Sequence, residues 1–144
     1  MSLENNKAII RSVYEAANKH NLALMLEFTA PDYVDHTAQL RGLESFKQTE
    51  TMFLKGFPDV HVTIEDITAE GDRVWVHLKY EGTHTGEYRG IPPTGNKFTM
   101  MAFSIFRVVQ GKVAERWTVY DMLDFYKQLG VIEYTEKGKK LFLE

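Results

Sequence analysis

Residues 98–109 constrain the fold more than any other stretch. They read FTMMAFSIFRVV and are apolar at both parities, Met100, Ala102 and Phe106 alternating with Met101, Phe103 and Ile105. Successive side chains of a strand point to opposite faces, so such a strand needs a cover on each side. Helical segments earlier in the chain can supply one cover. The other must be a ligand cavity, a second subunit, or both.

The helical patterns come first. Behind Ser2, a capping residue, Ile9, Ile10, Val13, Tyr14 and Ala17 recur at helical spacing. Asn21 is placed to cap a short helix over 22–28, which Ala30-Pro31 ends. Residues 32–36 read as a short extended piece. A third helix over 43–55 follows Gly42 and stops at Gly56 and Pro58. After Pro58 the period changes to two. Val60, Val62 and Ile64 oppose His61, Thr63 and Glu65. Beyond the turn residues Glu70-Gly71-Asp72, Val74, Val76, Leu78 and Tyr80 oppose Trp75, His77 and Lys79. The connection 82–96, rich in Gly and Pro, is long for a hairpin loop and therefore a candidate functional loop. Gln110-Gly111 makes the next turn. The last strand runs through Val113, Trp117, Thr118, Val119 and Tyr120 to Asp121, where a helical pattern begins. Three helices, four strands and a closing helix predict an α+β fold.

A length of 144 residues fits one domain, with a core over about 6–130 and a tail over 131–144. In that tail Leu141, Phe142 and Leu143 are free to pack on a neighbour. The formal net charge of −3 and the scattered Lys and Arg weigh against a nucleic-acid partner. With no cysteine, disulfides and thiolate metal sites are excluded. No apolar run reaches membrane-spanning length, and MSLENNKAII lacks a signal-peptide pattern. The expectation is a cytoplasmic protein with no membrane partner.

Asp121 is the first candidate for chemistry. A buried carboxylate is costly unless paired, protonated or used, and apolar surroundings raise its pKa toward that of a base at neutral pH. On strand parity Glu115, Trp117, Val119 and Asp121 share a face. The alternative is that Asp121 simply caps the helix beginning at Met122. His20, His36, His61, His77 and His84 fall in no metal-ligand spacing, so no metal is expected. His36 and His84 are candidates to bond a ligand oxygen, the alternative being surface or loop-stabilising roles. No nucleophile elbow and no phosphate fingerprint is present. Trp117, Tyr120, Phe57, Phe103, Tyr33 and Trp75 would suit an aromatic pocket, although most aromatics in a chain of this size are core.

Several of these segments resemble the SnoaL-like polyketide cyclase family. They are Phe57-Pro58-Asp59, Gly82-Thr83-His84-Thr85-Gly86-Glu87, Gly90-Ile91-Pro92-Pro93-Thr94-Gly95, and Glu115-x-Trp117 followed by Asp121 and Gln128-Leu129-Gly130. Tyr33-Val34-Asp35-His36 and Gly42 match the early segment, and the resemblance spans 6–130. It implies the nuclear-transport-factor-2-like (cystatin-like) fold, a curved mixed or antiparallel sheet wrapped around N-terminal helices as a cone with a deep apolar pocket. It also implies closure of a ring by intramolecular aldol condensation, without metal or organic cofactor. Asp121 matches the general acid/base, and His36 a polar position near the cone's mouth. Arg116 departs from the family, many of whose members carry histidine there, and an arginine cannot relay protons at neutral pH.

On this reading Asp121 removes a proton next to a carbonyl, and His36 or Tyr120 stabilises the enolate. Trp117, Phe57 and Phe103 exclude water, and His84, Glu115 and Tyr33 complete the substrate contacts. The substrate is a small apolar or aromatic carbonyl compound, the reaction an aldol cyclisation or isomerisation, and the assembly a homodimer. The rival reading is a non-catalytic binding or dimerisation module, with residues 98–109 as a dimer sheet and Asp121 as a plain helix cap.

Overall fold

The computed structural model describes residues 2–142, so Leu143 lies outside the described residues. Helices α1 (Leu3–Asn18), α2 (Leu22–Glu27) and α3 (Gly42–Gly56) flank two short strands, β1 (Thr29–Asp35) and β2 (Leu40–Arg41). Four longer strands follow: β3 (His61–Glu70), β4 (Arg73–Thr83), β5 (Lys97–Val109) and β6 (Lys112–Tyr120). Helix α4 (Met122–Leu129) and a 3-10 turn (Gly138–Leu141) close the order.

The caps form where the sequence places them. Ser2 Oγ accepts from Asn5 N at 3.1 Å, and Asn21 Oδ1 accepts from Leu24 N at 3.1 Å. Gln110 and Gly111 both adopt left-handed φ, 49° and 78°. That is the turn geometry whose twist matches a tight hairpin, and it joins β5 to β6.

The six strands form one sheet in the order β2-β1-β6-β5-β4-β3. Every pairing is antiparallel except β1 with β6, so the sheet is mixed. Register shifts in β3 at Ile64/Asp66 and between β5 and β6 at Arg107/Val108 bend it. The first shift also changes which residues point inward. Ile64 pairs with Leu78 and Ile67 with Val76, so both lie on the inner face although they are three residues apart.

The concave side is filled from two ends. Ile10, Val13 and Tyr14 of α1 pack with Val74, Val76, Leu78 and Phe106 of the sheet. At the other end Phe57, Tyr88, Phe98, Met100, Phe125 and Leu129 form a second, largely aromatic cluster under α4. The predicted cone is therefore present, with helices on one face of a curved sheet.

Among the described residues only one face of β5 is covered. Phe98, Met100, Ala102, Ser104, Phe106 and Val108 are buried, whereas Met101 and Phe103 are 46% and 51% exposed. In the tail Phe142 stacks on Tyr134 with centroids 4.4 Å apart, and Leu141 is exposed.

The Gly- and Pro-rich connection is fastened to α3. The N–H groups of Thr85 and Gly86 both donate to the Gly56 carbonyl, at 3.2 and 3.1 Å. A Cβ on Gly86 would lie 1.9 Å from the Lys55 carbonyl oxygen, so only glycine permits this approach. Gly86→Ala should lower unfolding stability by about 2 kcal/mol or more, measured by urea denaturation, because backbone rather than a flexible side chain must move.

Candidate active site

The inner residues of β6 define the site. Arg116, Thr118 and Tyr120 pair across from Phe106, Ser104 and Ala102, all on the concave face of β5. Glu115, Trp117 and Val119 point the other way. The parity expected to face a pocket thus faces outward, and the opposite parity lines the cone.

Arg116 is 9% exposed and carries a full charge into this interior. Its Nε donates to Thr118 Oγ1 at 2.7 Å, and that oxygen also bonds Ser104 Oγ at 2.8 Å. Its Nη2 donates to the Tyr120 hydroxyl at 2.9 Å and the Tyr80 hydroxyl at 3.4 Å. The guanidinium occupies a lone pair on each phenol oxygen, which leaves both O–H groups to donate elsewhere. Tyr14 and Tyr33 complete a ring of four phenols near the guanidinium. Burial pushes the Tyr14 hydroxyl up to about 12, and likewise raises Tyr33, Tyr80 and Tyr120. All four keep their protons at neutral pH and serve as hydrogen-bond donors.

Facing them is Glu50. Phe46, Glu50, Phe53 and Phe57 fall at i, i+4, i+7 and i+11, so the carboxylate sits on the apolar stripe of α3. Burial raises its pKa above the ordinary carboxylate range, against the lowering influence of Arg116. Glu50 nevertheless keeps accessible surface because it faces a cavity of about 110 Å³. That cavity opens between α1, α2 and α3, with Met25, Phe53, Val62 and Tyr80 among its walls. A carboxyl of raised pKa and the Tyr80 hydroxyl thus line an apolar hollow, and the Arg116 guanidinium lies behind Tyr80.

The candidates named from the sequence separate into three groups. Tyr33 and Tyr120 lie in the interior beside Arg116. Phe57 and His84 are buried structural residues. Phe57 is fully buried, packed among Phe53, Tyr88, Phe98 and Phe125. His84 packs on Phe57, and its Nδ1 accepts from Thr94 N at 3.3 Å and bonds Thr94 Oγ1 at 3.0 Å, locking the 84–96 connection.

The third group lies on the convex face. His36 stacks on Trp117, centroids 4.5 Å apart, and its Nε2 bonds Glu115 Oε1 at 2.9 Å. Glu115 also pairs with Arg107, and these two partners hold it below the ordinary carboxylate range. Phe103 is exposed and stacks on His77.

Asp121 corrects the reading most. It is exposed, and its Oδ1 accepts from Asp124 N at 3.2 Å as the N-cap of α4. The strand ends at Tyr120, and the backbone turns into α4 before the side chain can enter the cone. The capping alternative describes its position. Sequence reasoning passed over Glu50, Tyr14, Tyr80 and Thr118, and treated Arg116 only as a departure. A lone acid on the apolar stripe of α3 was the available signal.

Among the described residues no group of three His, Asp or Glu side chains is gathered as a metal-binding cluster. No helix among them is long and apolar enough to cross a membrane.

Comparison with known proteins agrees with this architecture. The family model for SnoaL-like polyketide cyclase matches residues 7–129. Aklanonic acid methyl ester cyclase DnrD of Streptomyces peucetius is 33% identical over 115 residues, 78% of this chain and 79% of that protein. The crystal structure of AclR, a candidate hydroxylase from Streptomyces galilaeus, superposes with a TM-score of 0.84 at 29% identity, covering 92% of this chain and 100% of AclR. Wild-type IdmH, a candidate polyketide cyclase from Streptomyces antibioticus, gives 0.76 at 33% identity, covering 88% and 99%.

The environment of Glu50 has a measurable consequence. With a folded-state pKa above the unfolded value, its contribution to stability is full below the unfolded pKa and is lost as pH rises through the folded one. Glu50→Gln should therefore raise the Tm at pH 8 and leave it nearly unchanged at pH 4, as followed by calorimetry.

Proposed function

The chain belongs to the SnoaL-like polyketide cyclase family, and on that footing we propose that it is a general acid–base enzyme whose base is Glu50. The observation that carries the reading is a single carboxyl of raised pKa facing an apolar hollow, with the Arg116 cluster behind it. The nuclear-transport-factor-2-like fold alone would not carry it, since one fold hosts many activities.

In this mechanism the Glu50 carboxylate takes a proton from a carbon next to a carbonyl. The electron pair moves onto the carbonyl oxygen, and the Tyr80 and Tyr120 hydroxyls donate to that oxygen. Arg116 hydrogen-bonds both phenols and stabilises the developing charge. In a cyclisation the enolate carbon attacks a second carbonyl of the same molecule. A carbon–carbon bond forms, and the new alkoxide recovers the proton from Glu50. In an isomerisation the same proton returns to a different atom. Neither route calls for a metal or organic cofactor. The substrate is an apolar or aromatic carbonyl compound whose reacting end enters the hollow, because about 110 Å³ is small beside the several hundred Å³ of a typical ligand pocket.

The test compares two variants on aklanonic acid methyl ester and its free acid, following product formation and deuterium uptake from D2O. Glu50→Gln should lower kcat by roughly 10² to 10⁴-fold, the usual worth of a general base. Asp121→Asn should leave kcat near wild type. The reverse pattern would overturn the assignment. Binding without turnover by the wild type would leave the chain as a small-molecule-binding module.

The uncovered convex face favours a second copy of the chain as partner. Trp75, Ile105 and Trp117 form one cross-strand row, and His77, Phe103 and Val119 the next. They line a groove of about 490 Å³, and Trp75 and Val119 are largely exposed. Contiguous apolar patches of this kind mark interaction sites. Sedimentation velocity should show a dimer, and Phe103→Glu, which places a carboxylate at the centre of the patch, should shift it to monomer without loss of helical circular dichroism.

A further inference from the structure

We propose that His20, at the mouth of the hollow, selects ligands that carry a second carbonyl oxygen beyond the one that reacts, and that its Nε2–H donates to that oxygen. The inference rests on the reading that the hollow is the reaction site, and it adds a specificity residue to it.

The hollow has two unlike ends. Glu50 and Tyr80 line its withdrawn end, where burial raises the pKa of both. His20 lines the same hollow but is exposed, so the imidazole stands where the hollow meets solvent. Apolar walls, Met25, Phe53 and Val62 among them, lie between. A hollow of about 110 Å³ takes the reacting end of a ligand and leaves the remainder at the rim. His20 is placed to meet that remainder.

The backbone holds His20 there in a conformation that suits other residues better. It follows the last turn of α1 with a φ of 54°, in the left-handed region that favours glycine. His20 N donates to Ala17 O and Asn21 N to Ala16 O, each at 2.9 Å, which fixes the corner. On one side the Asn18 amide clamps Val62, accepting from its N–H and donating to its carbonyl, both at 2.8 Å. On the other side Asn21 caps α2. None of these bonds uses the imidazole, and a glycine would make the same corner with less strain. What the imidazole adds is a polar group on the rim.

Its bonding state defines what it reads. Nε2 lies 3.5 Å from the Val60 carbonyl oxygen. A carbonyl accepts and cannot donate, so the nitrogen that faces it carries the proton. At that length the bond is weak, since N–H···O bonds are best near about 2.9 Å. The donor is readily given up to a ligand oxygen at ordinary distance. A second carbonyl supplies that acceptor, and a methylene in its place does not.

Phenacylacetone and valerophenone serve as probes. They share a phenyl ketone and a chain length, and differ in a second carbonyl where valerophenone has a methylene. Binding is followed by titration calorimetry, and enolisation by deuterium uptake from D2O next to the phenyl ketone, on wild type, His20→Gly and Glu50→Gln. Wild type should bind phenacylacetone about three- to tenfold more tightly than valerophenone, as one hydrogen bond between neutral groups provides. His20→Gly should erase that preference and keep the valerophenone affinity within about twofold. Its Tm should hold or rise, because glycine suits the left-handed φ. Glu50→Gln should keep the preference and lose deuterium uptake. Uptake that persists in that variant removes Glu50 as base and leaves the role of His20 standing, so the two readings fail separately. Equal affinities in wild type, no binding of either probe, a preference that survives His20→Gly, or a loss of both affinities together in that variant would overturn the proposal.

Discussion

The bond from Arg116 to the hydroxyls around it is the constraint on which the interior depends. A fixed charge has been carried through a strand into the apolar side of a sheet. It is tolerable because Thr118 and Tyr120, two and four residues on, share its face and accept from it. Tyr80 joins them from β4 and Ser104 supports Thr118 from β5. Remove the guanidinium and these hydroxyls lose a common donor. Remove the hydroxyls and the charge is stranded. The network ties three adjacent strands across several rungs of the sheet, and the helices close over it.

The helices then bring the complementary group. Glu50 is on the stripe of α3 that also carries Phe46, Phe53 and Phe57, so the packing that seats the helix also holds the carboxyl in place. Its position is unfavourable for an ionised acid, and that is the physical content of its raised pKa. The fold gives up some stability at neutral pH to hold this carboxyl beside hydroxyls that do not titrate in that range. Phe57 and His84, at the far end of the same helix and in the connection strapped to it, rigidify the arrangement from a distance.

Much of this architecture was legible in the chain. The stripe Ile10, Val13, Tyr14, the alternation through β4 and the left-handed pair Gln110-Gly111 each reported their element, because each depends on local periodicity or local turn geometry. The site was less legible for a definite reason. Strand β5 is apolar at both parities, so it could not say which face of its neighbour β6 looks inward. Choosing the face with Asp121 placed Trp117, Glu115 and His36 in the pocket, and the pairing of Ser104 with Thr118 puts them outside. His84 and Phe57 lie packed in the core because a long connection folds back onto it, which no local pattern reveals. Glu50 was visible as a carboxylate out of place on a helix, but its meaning emerges only when Arg116 is known to lie across from it.

Strand β6 serves two territories at once. Arg116, Thr118 and Tyr120 belong to the interior, while Glu115, Trp117 and Val119 belong to the apolar outer surface. A slip of a single residue would exchange the two sets, pushing an indole into the hollow and an arginine onto the greasy exterior. Beyond the bulge at Ala114, a one-residue insertion or deletion in this strand would therefore disrupt both faces at once. Length changes can accumulate only at its two hinges, the turn before Lys112 and the junction at Asp121. Divergence along this strand proceeds by exchanging side chains in place, so the chemistry of the interior can change at positions 116, 118 and 120 without the backbone being recut.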